Sequence, residues 1–109
     1  MIFNFIYKNK RVNIKVEKCH SLFSQARGLM FKKKSESLLF IFKNKKRRAI
    51  HSFFCIPFIA IWFDEKKVIE IKRVKSWRFL IKPKHKFNKL LEIPSNDTLF
   101  KEFIDEEKI

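Results

Sequence analysis

Glycine occurs once in this chain, at position 28. A phosphate-cradling loop needs several glycines to bring backbone N–H groups close to an anion, so that kind of nucleotide site is excluded. Cysteine occurs twice, as Cys19 and Cys55, 36 positions apart and outside any CxxC pair. Two such cysteines make neither a disulfide-rich scaffold nor a Cys-rich zinc module. Free thiols in a reducing, cytoplasmic setting are expected, and the sequence leaves a bridge between the two open. Acidic residues number 11 against 26 basic ones and are too scattered to suggest a catalytic carboxylate pair. A long apolar run is also missing. The longest uncharged stretch, Ala49 to Phe63, has 15 residues and contains Pro57 near its middle. A spanning helix needs about 20 apolar residues, and an internal proline breaks a helix. No membrane insertion is expected. No secretory leader is expected either, because the apolar run Ile2–Tyr7 is short, contains Asn4, and is followed instead of preceded by its charges.

What the chain has in quantity is phenylalanine. There are 14 Phe and only three Ala among 109 residues. Each fully buried Phe contributes about 1.5–3 kcal/mol. A chain of this length buries roughly 60–70% of its unfolded surface. One domain, residues 1–109, with one substantial core is expected. The net charge is +15, and twenty of the 26 basic residues are Lys. Such a balance points to an anionic partner, but Lys, Ile, Phe and Asn are all abundant here, as codon bias in an AT-rich genome produces. The acids are unevenly placed. Glu102, Asp105, Glu106 and Glu107 face one Lys in residues 102–109, so the rest of the chain carries +18.

Period-two patterns dominate. Phe3, Phe5 and Tyr7 alternate on one side of a first strand, and Val12, Ile14 and Val16 alternate with Asn13, Lys15 and Glu17 on a second, around a turn at Lys8-Asn9-Lys10. Asn9 suits a positive φ. Ser21 can cap a short helix from about Leu22 to Arg27, with Gly28 placed as its left-handed C′ residue. Leu38, Phe40 and Phe42 alternate in another strand, and Lys43–Arg48 reads as an exposed connection. The apolar stretch divides at Pro57 into expected strands Ala49–Cys55 and Phe58–Phe63. The second lacks any polar alternation, which is the mark of a central strand covered on both faces. A turn at Asp64–Lys67 leads to a strand Val68–Val74, with Ile69 and Ile71 expected inward and Glu70 and Lys72 outward. Trp77–Ile81 is a further short strand. Leu90–Ile93 is another, stopping at Pro94. Asn96 or Asp97 is placed to cap a short helix containing Leu99, Phe100 and Phe103. The fold class is therefore α+β, mainly β: a compact antiparallel, barrel- or sandwich-like sheet with one or two short helices.

The order of several pieces resembles a known pattern. "ARGLMF" (Ala26–Phe31), "LLFIF" (Leu38–Phe42), "AIHSFFCIPFIAIWFDEKKVIEIKRVKSWRF" (Ala49–Phe79) and "LLEIP" (Leu90–Pro94) resemble the domain-of-unknown-function 192 family. The IH before the proline and the Trp-Arg pair resemble its archaeal branch. The resemblance covers residues 12–109 and implies a compact β-rich domain with short helices and no established activity. The chain departs from the pattern in four places. Ile59 stands where relatives have Asp, and Ser76 replaces a proline. Ser95-Asn96 stand where a glycine is usual, and Glu106-Glu107 replace a Gly-Asp pair. A site built on the first Asp is not available here.

Each candidate site has a plain structural alternative. Cys19, His20, His51, Cys55 and His85 offer soft ligands, but no spacing joins them into a metal set, and neither metal nor cofactor is expected. Cys55 lies in an apolar run where thiols are normally inert. Arg27, beside Gly28, is either an anion contact or a favourable charge at a helix carboxyl end. Trp77 and Arg78 either stack on a ligand or pack at a rim, and His51 is either a ligand contact or a satisfied core or rim histidine. The basic runs, with Lys45, Lys46, Arg47, Arg48, Lys72, Arg73 and Lys75 foremost, lie near Trp77, Phe79 and Phe87 and fit single-strand binding. Three functions follow in order. The first is a non-catalytic module that binds a small ligand or a protein through Arg27, His51, Trp77 and Arg78. The second is RNA or single-stranded DNA binding. The third is an enzyme with a site near Arg27, His51 and Arg78.

Overall fold

The computed structural model describes residues 1–19, 28–30, 32–78 and 80–103. The chain begins with the expected hairpin. Strand β1 (Ile2–Tyr7) pairs antiparallel with β2 (Lys10–Cys19) around a two-residue turn. Both turn residues, Lys8 and Asn9, have positive φ, 50° and 65°. That turn matches the right-handed twist of paired strands. Strands β3 (Ser37–Lys46), β4 (Phe58–Asp64), β5 (Lys67–Val74) and β6 (Phe87–Pro94) complete a six-stranded sheet in the order β1-β2-β3-β6-β4-β5. The sheet is curled into a half-barrel. Every pairing is antiparallel except β2–β3, which is parallel. A short helix, α1 (Leu99–Phe103), closes the described chain. Asp97 starts it by accepting a hydrogen bond from the Leu99 backbone N–H at 2.9 Å, as the capping signal predicts.

Strand β4 explains the opening apolar stretch. It lies between β6 and β5, and Phe58 through Phe63 are all buried. Ile59, Ile61 and Phe63 enter one core with Phe3, Phe5, Leu91 and Phe103. Phe58, Ala60 and Trp62 enter a second core on the other face with Leu38, Phe40, Phe87 and Leu90. The rings of Phe3 and Phe5 meet Phe63 edge-on at 5.3 and 5.1 Å, which closes β1 over β4. Among the described residues, no helix is long and apolar enough to cross a membrane.

Several boundaries differ from the sequence reading. The expected strand Ala49–Cys55 is a loop whose β-bridge among the described residues runs from Ile50 to Ile81. Ser52 turns it: its N–H bonds the Arg78 carbonyl at 2.8 Å, and its carbonyl accepts from Trp77 and Cys55. Of the expected strand Trp77–Ile81, the described residues Trp77, Arg78 and Leu80 are not strand; Trp77 sits in a turn at φ 63°, and Ile81 makes an isolated bridge. Strand β3 runs on through Lys46, so much of the supposed connection Lys43–Arg48 is strand. In β5, Ile71 packs into the first core but Ile69 into the second. A register shift opposite Trp62-Phe63 leaves Ile69 unpaired and turns it to the other face. The expected helix Leu22–Arg27 lies outside the described residues, while Gly28 has the left-handed φ foreseen for it, 49°.

Candidate functional site

Strand β6 alternates across the sheet. Leu91 and Ile93 face the first core, while Leu90 and Glu92 face the second. Glu92 therefore projects from a central strand, opposite Leu38 on β3 and Ala60 on β4. It is 5% exposed. Among the described residues no side chain or backbone group donates a hydrogen bond to its carboxyl. Burial pushes that carboxyl up from 4.5 to about 8, because desolvation penalises the charged form.

Above Glu92 opens a pocket of about 250 Å³. Its walls come from separate parts of the chain: the turn Gly28-Leu29-Met30, Phe40 and Phe42 of β3, the 48–55 segment, and Phe87 and Leu90 of β6. Phe42 and Phe87 pack edge-on at 5.6 Å. Gly28 lies against the carboxyl, where an added Cβ would sit 3.5 Å from Glu92 Oε1 and 3.6 Å from Phe40. Its positive φ, more than any clash, is what calls for glycine here. Arg48 and His51, both exposed, also line the pocket. The result is an aromatic-walled cleft of mixed polarity, lined by the Glu92 carboxyl and by Arg48 and His51 as well as by Phe rings, a usual plan for a small-molecule site.

The sequence candidates divide. His51 lines the pocket; its Nδ1 accepts from the Phe53 N–H at 3.2 Å, and its ring stacks on Phe53 at 5.3 Å. Trp77 and Arg78 do not line it. They sit on the far side of the Ser52 turn, where Arg78 N–H donates to the Ser52 hydroxyl at 2.7 Å and Trp77 packs on Phe54 at 4.6 Å. Arg27 lies outside the described residues. Of the basic candidates, Lys45 pairs with Asp64 at 3.0 Å and Lys46 lies 4.9 Å above the Phe42 ring. Arg47 donates to the Pro83 carbonyl at 2.8 Å, and Lys72 pairs with Glu70 at 3.3 Å. Arg48 is at the pocket, Arg73 is half-buried on β5, and Lys75 is exposed.

The two cysteines are unbridged and buried. Burial, with Glu92 adding to it, raises the Cys55 thiol to about 12. Burial, followed by Glu17 and Glu92, raises Cys19 to about 11. Neither is a ready nucleophile, since the thiolate is the reactive form. Among the described residues no three His, Cys, Asp or Glu side chains gather to hold a metal. Sequence reasoning missed Glu92 as a site residue. The signal was a lone acid in the apolar run Leu90–Pro94, on a strand with no exposed face.

Residues 5–101 match the family model for domain of unknown function 192, described as "Uncharacterized ACR". The chain belongs to the domain-of-unknown-function 192 family. The stretches that carry the family pattern meet at the pocket: Gly28-Leu29-Met30, Phe40 and Phe42, Ala49 to Cys55, and Leu90 with Glu92. No curated protein matches the sequence. Two crystal structures share the domain-of-unknown-function 192 chain's fold. One is a Novosphingobium aromaticivorans protein of unknown function, 19% identical, with a TM-score of 0.75 over 84% of this chain and 70% of that one. The other, from Sinorhizobium meliloti, is described as a "putative transcription regulator" and is 14% identical, with a TM-score of 0.74 over 85% of this chain and 78% of that one.

Proposed function

We propose that this chain is a non-catalytic small-ligand-binding module whose pocket takes a compact organic amine. One observation carries the reading: Glu92 is buried on a central strand, has no donor among the described residues, and faces an open aromatic cleft. A buried carboxyl is costly to leave without a donor, and a ligand that brings one offsets that cost. A protonated amine gives Glu92 a charge partner, and the rings of Phe40, Phe42 and Phe87 cover its apolar body and attract its charge. The cleft's size, about 250 Å³, suits a ligand of roughly ten non-hydrogen atoms. The raised thiols of Cys19 and Cys55 speak against nucleophilic catalysis there. The continuous sheet supports a single domain, and the unbridged thiols support a reducing, cytoplasmic setting.

The test is calorimetric titration with benzylamine, butylamine and the neutral isostere benzyl alcohol, at pH 6 and pH 8. The amines should bind more tightly at pH 7.5–8.5 than at pH 6, with release of a proton from Glu92, and Glu92→Gln should weaken them at least tenfold. Binding of benzyl alcohol alone, or amine binding indifferent to Glu92→Gln, would overturn the amine assignment. No binding of any probe would remove the pocket reading.

A further inference from the structure

The loops 50–57 and 75–81 hold three large apolar residues outward from strained backbone. Phe54, Trp77 and Leu80 have φ of 59°, 63° and 57° and are 49%, 57% and 75% exposed. A bulky L-residue in the left-handed region is strained and persists only where its surroundings over-determine it. Here they do. Ser52, wholly buried, binds the Lys75 carbonyl at 2.6 Å through its hydroxyl and bonds both the N–H and the carbonyl of Arg78. Ser76 donates to the Cys55 carbonyl at 2.6 Å, and Ile50 and Ile81 exchange backbone bonds at 2.7 and 3.0 Å. The two loops are thus one rigid knuckle. On it, Trp77 meets Phe54 edge-on at 4.6 Å and Phe53 at 6.1 Å. Burial of these side chains does not explain the strain, since they are exposed.

Charge indicates what they meet. The segments that build the knuckle and lead from it, residues 43–63 and 71–91, contain thirteen Lys and Arg and none of the chain's eleven acids. The acids that border these segments, Asp64, Glu70 and Glu65, pair with Lys45, Lys72 and Lys89 and not with the cations of the knuckle. Arg48, Lys75 and Arg78 are exposed and make no ion pair among the described residues. We infer that the Phe54–Trp77 knuckle is a stacking platform for single-stranded nucleic acid, with Arg48, Lys75 and Arg78 contacting its phosphates. Pairing ring faces with a line of cations is how sequence-tolerant single-strand sites work. The cations continue along β5 and the 82–89 segment beyond the tip, which suits a linear polyanion better than a membrane surface. This inference does not rest on the amine reading, although Arg48 and part of the 50–57 loop also line the Glu92 pocket.

The test uses fluorescein-labelled twelve-residue oligouridine and oligo(dT), the matching duplex, and vesicles of 30% phosphatidylglycerol, from 20 to 300 mM KCl. Single strands should bind more tightly than duplex or vesicles. They should also quench the exposed Trp77, since Trp62 is fully buried. Phe54→Gly and Trp77→Gly relax the backbone, so both variants should fold with unchanged or higher thermal midpoints. Each should nonetheless bind single strands about tenfold more weakly with the salt slope intact. Lys75→Gln with Arg78→Gln should flatten the slope of log affinity against log salt by about 1.4. No binding to either oligomer at 20 mM KCl would overturn the inference. So would binding to vesicles alone, or oligomer binding that both glycine variants leave unchanged.

Discussion

Glu92 stands between Leu38 and Ala60 on the strand at the centre of the sheet, and burial lifts its carboxyl to about 8. The unfolded chain keeps it at its ordinary value, 4.5. Between those two values the folded state holds a proton that the unfolded state has released. Stability therefore falls as pH rises from about 4.5 to about 8, then levels. The loss should amount to a few kcal/mol. Urea unfolding at pH 5 and pH 8.5 should show it in the native chain, and Glu92→Gln should erase most of the difference. A variant as pH-sensitive as the parent would place the effect elsewhere. His51 was identifiable from sequence because histidine attracts attention in an apolar run. Glu92 was not, because its burial depends on β6 having strands on both sides, which no local pattern reports.

At the level of the element, alternation and turn chemistry carried most of the information. Phe3 with Phe5 and Ile14 with Val16 point into one core as their spacing requires. The turn between them still holds Lys at a positive φ of 50°. Replacing Lys8-Asn9 by Asn-Gly should suit both positions and raise the thermal midpoint by about 2–6 °C; a fall would mean that the Lys8 side chain contributes more than its backbone costs. The apolar run 58–63 was legible as a central strand because nothing in it is polar. The run 49–55 was not legible as a loop. Its Ile and Phe residues have strand propensity, and what bends it is Ser52 bonding to residues 23 and 26 positions away. Likewise the bulge that turns Ile69 to the second core arises from pairing with β4, and leaves no mark in the local sequence.

Across the molecule, the sheet curls far enough for β1 to meet β4 through Phe3, Phe5 and Phe63. Phe63→Ala should therefore release an entire edge of the fold, costing about 3–5 kcal/mol in urea unfolding; a loss under 1 kcal/mol would mean that the half-barrel closes without those rings. The mainly β architecture was readable from pattern. The parallel pairing of β2 with β3 was not, since alternation is the same in either direction. That pairing has a further effect. Parallel neighbours cannot be joined by a tight reversal, so the chain must travel the length of the strands before re-entering the sheet. Gly28-Leu29-Met30 belong to that detour and form one wall of the pocket. Gly28, Leu29 and Met30 lie outside the paired strands, so a change at Met30 leaves the register of β2 and β3 undisturbed. Met30, half-buried and lining the pocket, is thus the position where descendants of this fold can acquire a new ligand preference, while Leu29, fully buried in the second core, stays part of the inherited frame.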